Sequence, residues 1–191
     1  MSIKKKPAWR EWTESLVFAF ITAMIVRTFF FQAFKIPTGS MRTTLMEGDL
    51  ILVNKLIYGA KMPLVNLRTP KLREPQQGDV VVFIYPQDTK KYFIKRMVAK
   101  GGDKVEIKNG TIYVNDNPLL EPVFNKNYYY NRGEYGAEGK IITVPADSYF
   151  VLGDNSASSQ DSRYWGFVPK ENIAGEGILI YWPPNRIRMI K

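Results

Sequence analysis

The pattern of apolar residues changes once along this chain, near Ser40, and that change limits what the chain can fold into. Before it, Leu16 to Val26 runs without a charge, Arg27 interrupts, and Thr28 to Phe34 is again mostly apolar. After it, apolar residues come in short runs, many alternating with period two, separated by Gly, Pro and Asn. A strand sends successive side chains to opposite faces, so the second pattern predicts strands rather than helices. Strands are expected over 49–55, 79–84, 92–98, 104–108, 111–114, 141–144, 148–152 and 178–182. Lys108-Asn109-Gly110-Thr111 predicts a two-residue hairpin, because Asn-Gly supplies both positive φ angles of a type I′ turn. Many short strands with turns between them imply a mainly β fold, an antiparallel barrel or sandwich over 35–191. Residues 59–77 read as a surface connection, and 115–139, with Tyr128-Tyr129-Tyr130, as an irregular excursion.

The first pattern predicts one N-terminal transmembrane helix, an anchor over 15–34. Crossing a bilayer takes roughly 20 mostly apolar residues, reached here with Glu14 and Arg27 near opposite interfaces and the long Arg27 side chain reaching outward. Residues 1–14 then form a short cytoplasmic N-terminus, with Trp9 and Trp12 at the interface, and the β-rich part lies outside the cytoplasm. Lys4, Lys5, Lys6 and Arg10 favour that orientation, while Arg27, Lys35 and Arg42 reduce the bias. A buried core helix and a cleaved secretory signal are the alternatives, though no small-x-small cleavage pattern comes after it.

Two absences restrict the chemistry. With no Cys the fold owes nothing to disulfides. With no His, Ser-His-Asp and Cys-His catalysis are excluded within the chain, and the usual zinc ligands are missing. A serine hydrolase built from this chain needs Lys, Asp, Glu or an N-terminal amine as its base. The formal net charge of +9 suits anionic lipid or nucleic acid equally. No zinc-finger or helix-turn-helix pattern supports nucleic acid, which leaves that role resting on charge alone.

Three stretches carry candidate chemistry. In Lys35-Ile36-Pro37-Thr38-Gly39-Ser40-Met41, Pro37 fixes one backbone angle and Gly39 permits conformations closed to other residues. Such a loop can hold the Ser40 hydroxyl in a chosen place, with that of Thr38 two residues away; taken alone it is also an ordinary turn. In Tyr92 to Val98, alternation sets Phe93, Lys95 and Met97 on one face and Ile94, Arg96 and Val98 on the other. An ammonium between an aromatic ring and a thioether is poorly solvated, which lowers its pKa toward that of a useful base; a solvated surface lysine is the plain alternative. The third stretch, Gly153 to Pro169, is a hydroxyl-rich loop in which Asp161 and Arg163 are spaced to pair or to brace neighbouring loops.

Together these stretches resemble the bacterial type I signal peptidases, or leader peptidases. The resemblance rests on Ile36-Pro37-Thr38-Gly39-Ser40-Met41, then Gly78 to Phe83, then Phe93-Ile94-Lys95-Arg96 with Gly102-Asp103-Lys104-Val105. It ends on Gly153-Asp154-Asn155 through Asp161-Ser162-Arg163-Tyr164-Trp165-Gly166. It covers about 16 to 182 in the family's order, with 115–139 unmatched. It implies a Ser-Lys endopeptidase, anchored in the bacterial cytoplasmic membrane with its catalytic domain outside, that removes signal peptides from exported preproteins. Ser40 would be the nucleophile and Lys95 the general base; the Ser40 amide and the Thr38 hydroxyl would form the oxyanion hole. Ser159 would orient Lys95, Asp161 and Arg163 would buttress the site, and Asp154 would pair with Arg96. Phe34, Ile36, Met41, Leu45, Phe93 and Ile94 would line shallow pockets for small residues at −3 and −1. Exposed apolar residues around Met41 would touch lipid. No metal or cofactor is needed.

The chain departs from the family in places. Where many relatives read Gly-Asp-Asn-Arg-Asp-Asn-Ser, this chain has Gly153-Asp154-Asn155-Ser156-Ala157-Ser158-Ser159, so an Arg-Asp pair is missing and the loop must be braced differently. Thr43 also replaces a common Pro. Self-cleaving Ser-Lys repressors share a Gly-x-Ser-Met loop but need a DNA-reading domain where 16–34 is apolar. A non-catalytic membrane-bound binding module with this fold is the other alternative.

Overall fold

The structure, a computed structural model, describes residues 7–59 and 71–191. The basic start of the chain and residues 60–70, most of the expected connection, lie outside the described residues.

Helix α1 spans Ala8–Phe29. Its sequence holds no Gly and no internal Pro, and Pro7 stands at the N-cap, where a fixed φ and a missing N–H do no harm. The helix ends at Phe30, whose amide still donates to the Val26 carbonyl (2.9 Å) while its own carbonyl already accepts from the Lys55 amide (2.9 Å). The chain then enters strand β1, Phe31–Lys35. This corrects the expected 15–34 anchor, whose last residues pair with another strand instead of extending the helix. Among the described residues no helix is long and apolar enough to cross a membrane.

The remaining strands are β2 (Leu50–Asn54), β3 (Val80–Ile84), β4 (Tyr92–Lys100), β5 (Lys104–Lys108), β6 (Thr111–Val114) and β7 (Asn117–Pro118). They continue with β8 (Ile142–Thr143), β9 (Ser148–Leu152), β10 (Val168–Pro169), β11 (Ile173–Trp182) and β12 (Arg188–Met189). The fold is mainly β, and every pairing among these strands is antiparallel. The larger sheet runs β1-β2-β11-β3-β4-β9-β10, with β12 beside β11, and the smaller runs β7-β6-β5-β8. The larger sheet starts at β1 and stops at β10, an open half-barrel rather than a closed one. The predicted hairpin joins β5 to β6, pairing Lys108 with Thr111, and Asn109 and Gly110 have φ of 51° and 77°.

Three apolar clusters fill the body. Val80 and Val82 lie with Met41, Leu45, Ile51 and Ile180, while Val81 and Phe83 lie with Met97, Tyr149 and Val168 on the other side. Both faces of β3 are covered, which is why its sequence is continuously apolar rather than alternating. The third cluster sits between the sheets and includes Val105, Ile112, Phe150 and Leu152. It also takes Val98 and Ala99, because a register shift between Met97 and Ala99 interrupts the alternation of β4. Met97 and Val98 still fall in different clusters, as the alternation expected for 92–98 requires, and the pattern breaks only at Ala99, which shares the cluster of Val98.

Candidate active site

Ser40 sits in the single turn Gly39–Met41, directly after the extended residue Thr38. β3 and β9 flank β4 and present Lys95 toward this turn. Lys95 Nζ lies 2.6 Å from Ser40 Oγ and donates to the Ile94 carbonyl at 3.0 Å. The two residues are 3% and 8% exposed, so bulk water solvates neither group well. Burial pushes the Lys95 ammonium down to about 8; Asp161 and then Asp154 act in the opposite direction, and Arg163 adds to the fall. The Phe93 ring centroid lies 5.6 Å from Nζ, which agrees with the placement of both residues on one face.

Two buried ion pairs hold the surrounding loops. Arg96 Nε and one terminal nitrogen each donate to Asp154 at 2.7 Å, and its other terminal nitrogen donates to the Gly78 carbonyl. Thr44 Oγ donates to Asp154 and accepts from Arg96, which joins the nucleophile loop to this pair. Arg163 forms a second two-pronged pair with Asp161 (2.8 and 2.9 Å). Asp161 also accepts from the Gly153 amide and from the Arg163 amide at the start of helix α2, Ser162–Trp165.

Asn155 contacts the nucleophile loop directly. Its amide donates to the Ser40 carbonyl and its side chain to the Gly39 carbonyl, each at 3.0 Å. Gly153 passes so close that a Cβ there would fall 2.5 Å from the Ser40 carbonyl oxygen and 2.2 Å from Ser159 Oγ. Ser159 is thus beside the nucleophile loop, yet its buried hydroxyl has no hydrogen-bond partner among the described residues. The expected bond from Ser159 to Lys95 is not made; the amine is oriented by Ile94.

The family described as signal peptidase, peptidase S26, matches residues 9–182. The chain belongs to that family. It is similar to the probable signal peptidase I-2 of Synechocystis sp., 37% identical over 188 residues, covering 95% of this chain and 77% of that one. It is also similar to the signal peptidase I of Pseudomonas aeruginosa, 33% identical over 219 residues, covering 97% and 77%. A crystal structure of a signal peptidase I from Enterococcus faecalis is 31% identical with a TM-score of 0.46, covering 56% of this chain and 98% of that one. As a signal peptidase family member the protein is a hydrolase, a serine endopeptidase.

The departures from the common family sequence have structural answers. In place of the missing Arg-Asp pair, Ser156 Oγ accepts from the Tyr130 amide (2.9 Å) and from Arg163 (2.7 Å). Arg163 also donates to the Tyr130 carbonyl, so the 115–139 excursion supports the site loop. Thr43 has φ of 87°, which a proline ring forbids.

The six residues expected to contact substrate divide into groups. Ile36, Met41 and Leu45 belong to one buried cluster with Phe34 and Ile94 packed against it. Phe93 lies on the opposite side, stacked on Tyr85 with centroids 4.3 Å apart. Met41 and Leu45 are 0% exposed. They form the floor beneath the nucleophile loop, which corrects the open-pocket expectation for them, while the neighbouring Met46 is 47% exposed. Thr44, Asn155, Ser156 and Tyr130 were missed as site residues. Asn155 had a signal, its place in Gly-Asp-Asn beside Asp154; the others had none.

Proposed function

We propose that Ser40 is the nucleophile and Lys95 the general base of a signal peptidase that removes N-terminal signal peptides from exported preproteins. The observation that carries this reading is the 2.6 Å separation of two buried groups, one of them an amine with its pKa lowered to about 8. The neutral amine takes the Ser40 proton as the hydroxyl attacks the scissile carbonyl, and then protonates the departing amine. The Ile94 carbonyl binds one N–H of Lys95, which helps aim the lone pair at Ser40 Oγ. Water resolves the acyl-enzyme with Lys95 again as base. The Ser40 amide and the hydroxyl of Thr38, an exposed residue beside the nucleophile, stabilise the oxyanion, each donor contributing about 3 kcal/mol. Asp154, Arg96, Asp161 and Arg163 hold the loops, and Ser159, beside the nucleophile loop, orients the amine once substrate binds.

Cleavage occurs after small residues at −3 and −1. Phe34 and Ile94 supply the apolar surface on one side of β4, with the buried Ile36 beneath them, and Phe93 acts from the other side. Helix α1 attaches the protein to the bacterial cytoplasmic membrane by burying exposed side chains such as Trp12, Phe18, Phe20 and Ile21 in lipid. The β-rich body then works on the outer side, where preproteins emerge. The test is cleavage of a preprotein carrying Ala-x-Ala, with N-terminal sequencing of the product. Ser40→Ala and Lys95→Ala each abolish cleavage while remaining folded. Turnover by purified Lys95→Ala removes the lysine from the mechanism.

A further inference from the structure

The family match ends at Trp182, so residues 183–191 lie beyond it. They turn back over the cluster beneath the nucleophile loop. β12 pairs with β11, placing Met189 opposite Leu179 and Arg188 opposite Ile180, and the Ile190 amide donates to the Ile178 carbonyl. Ile190 packs against the cluster that contains Met41 and Leu45.

Two arginines of this segment grip the loop itself. Arg186 donates to Asp49 through two nitrogens, at 2.8 and 2.9 Å. Asp49 is 1% exposed, accepts from the Met46 amide, and through its carbonyl accepts from the Ile36 amide. It therefore fastens both ends of the loop that carries Ser40. Burial acts to raise the Asp49 carboxyl, but the Arg186 bond, the Met46 amide and the Arg186 and Arg188 charges hold it below its ordinary value. Arg188 donates to the Thr44 carbonyl at 2.7 Å. The hydroxyl of the same Thr44 is held by Asp154 and Arg96, so Thr44 is fixed at its backbone by one element and at its side chain by another. Asn155 restrains only Gly39 and Ser40; the far half of the loop is held by Arg186, Arg188, and the Arg96–Asp154 pair.

We infer that residues 183–191 form a strap that positions Ser40 for attack, with Arg186 and Arg188 as its positioning residues. The strap fixes where Thr44 and Asp49 sit, and Thr44 is tied back to the Ser40 turn because the Thr44 and Leu45 amides both donate to the Met41 carbonyl, at 3.1 and 2.8 Å. Misplacing an attacking atom by about 1 Å lowers a rate up to about 100-fold.

The inference rests on the Ser40 and Lys95 reading, so the parent chain and Ser40→Ala are assayed beside the strap variants. Arg188 is an exposed residue, and Arg188→Ala opens no cavity. With the full chain in detergent and an Ala-x-Ala preprotein, Arg188→Ala lowers kcat about tenfold with KM within about twofold of the parent. Its Tm stays within about 3 °C, and Arg188→Lys, which keeps a donor, recovers most of kcat. A kcat for Arg188→Ala within twofold of the parent overturns the strap, as does a loss that Arg188→Lys fails to recover or one that tracks Tm. Cleavage by Ser40→Ala sinks the underlying reading instead, whatever Arg188 does.

Discussion

Replacing Lys95 with Met tests the buried amine through stability rather than catalysis. The native Lys95 releases its proton near pH 8, and the unfolded lysine near 10.5. Below pH 8 both states hold the proton. Between pH 8 and 10.5 only the unfolded state does, so the unfolded chain binds more protons and stability rises with pH. Integrated from pH 7.5 to 9.5, this one group adds about 2 kcal/mol. For a chain of this size that is about 4–8 °C in Tm. Met has similar length and no proton to release, so the rise is absent from Lys95→Met. The window stops at 9.5 because burial raises the Tyr58, Tyr129 and Tyr149 hydroxyls, and their slope near pH 10 has the opposite sign. The measurement is urea unfolding of both proteins in detergent at the two pH values, taking the difference of differences. A difference below about 0.5 kcal/mol refutes the depressed lysine, and the general-base reading loses its main support.

Cleavage by the parent chain rises with pH through about 8 as neutral amine accumulates, and an activity flat from pH 6 to 10 contradicts a lysine base. Gly153→Ala forces the Ser40 carbonyl or Ser159 to move, lowering kcat by up to about 100-fold; near-parental turnover would show that the contact relaxes freely. Asp154→Ala leaves Arg96 buried without its carboxylate and destabilises by about 3–5 kcal/mol, read by chemical denaturation. Ser156→Ala strands the Tyr130 amide and one of the two N–H groups of an Arg163 terminal nitrogen that keeps its bond to the Tyr130 carbonyl, at about 1–3 kcal/mol, and speeds amide exchange around Tyr130.

Much of the body was legible because its signals are local. Asn109-Gly110 set one hairpin, and six of the expected strands fall within a residue of β2, β3, β5, β6, β8 and β9. β1 was hidden because Phe31 to Phe34 reads as a continuation of the apolar helix; pairing with β2 converts the same residues into a strand. Half of β11 was missed because Gly175 and Gly177 weaken a strand pattern. Gly175 is required there by close approach to the Asn54 carbonyl. The faces of Phe93 and Lys95 came from alternation alone. The contacts of Thr44, Ser156 and Tyr130 with the site did not, since they join residues more than twenty positions apart, side chain to side chain at Thr44 and through the Tyr130 backbone at Ser156 and Arg163.

Phe30 gives its amide to the helix and its carbonyl to the residue after β2, so no slack chain separates α1 from the sheet. Ser40 comes only ten residues later. If lipid holds α1 as proposed above, the reach of the nucleophile from that surface is set by protein geometry and not by a tether. A flexible insertion after Phe30 would turn a fixed cutting height into a spread of heights, and the product N-terminus would record the loss as scattered cleavage positions.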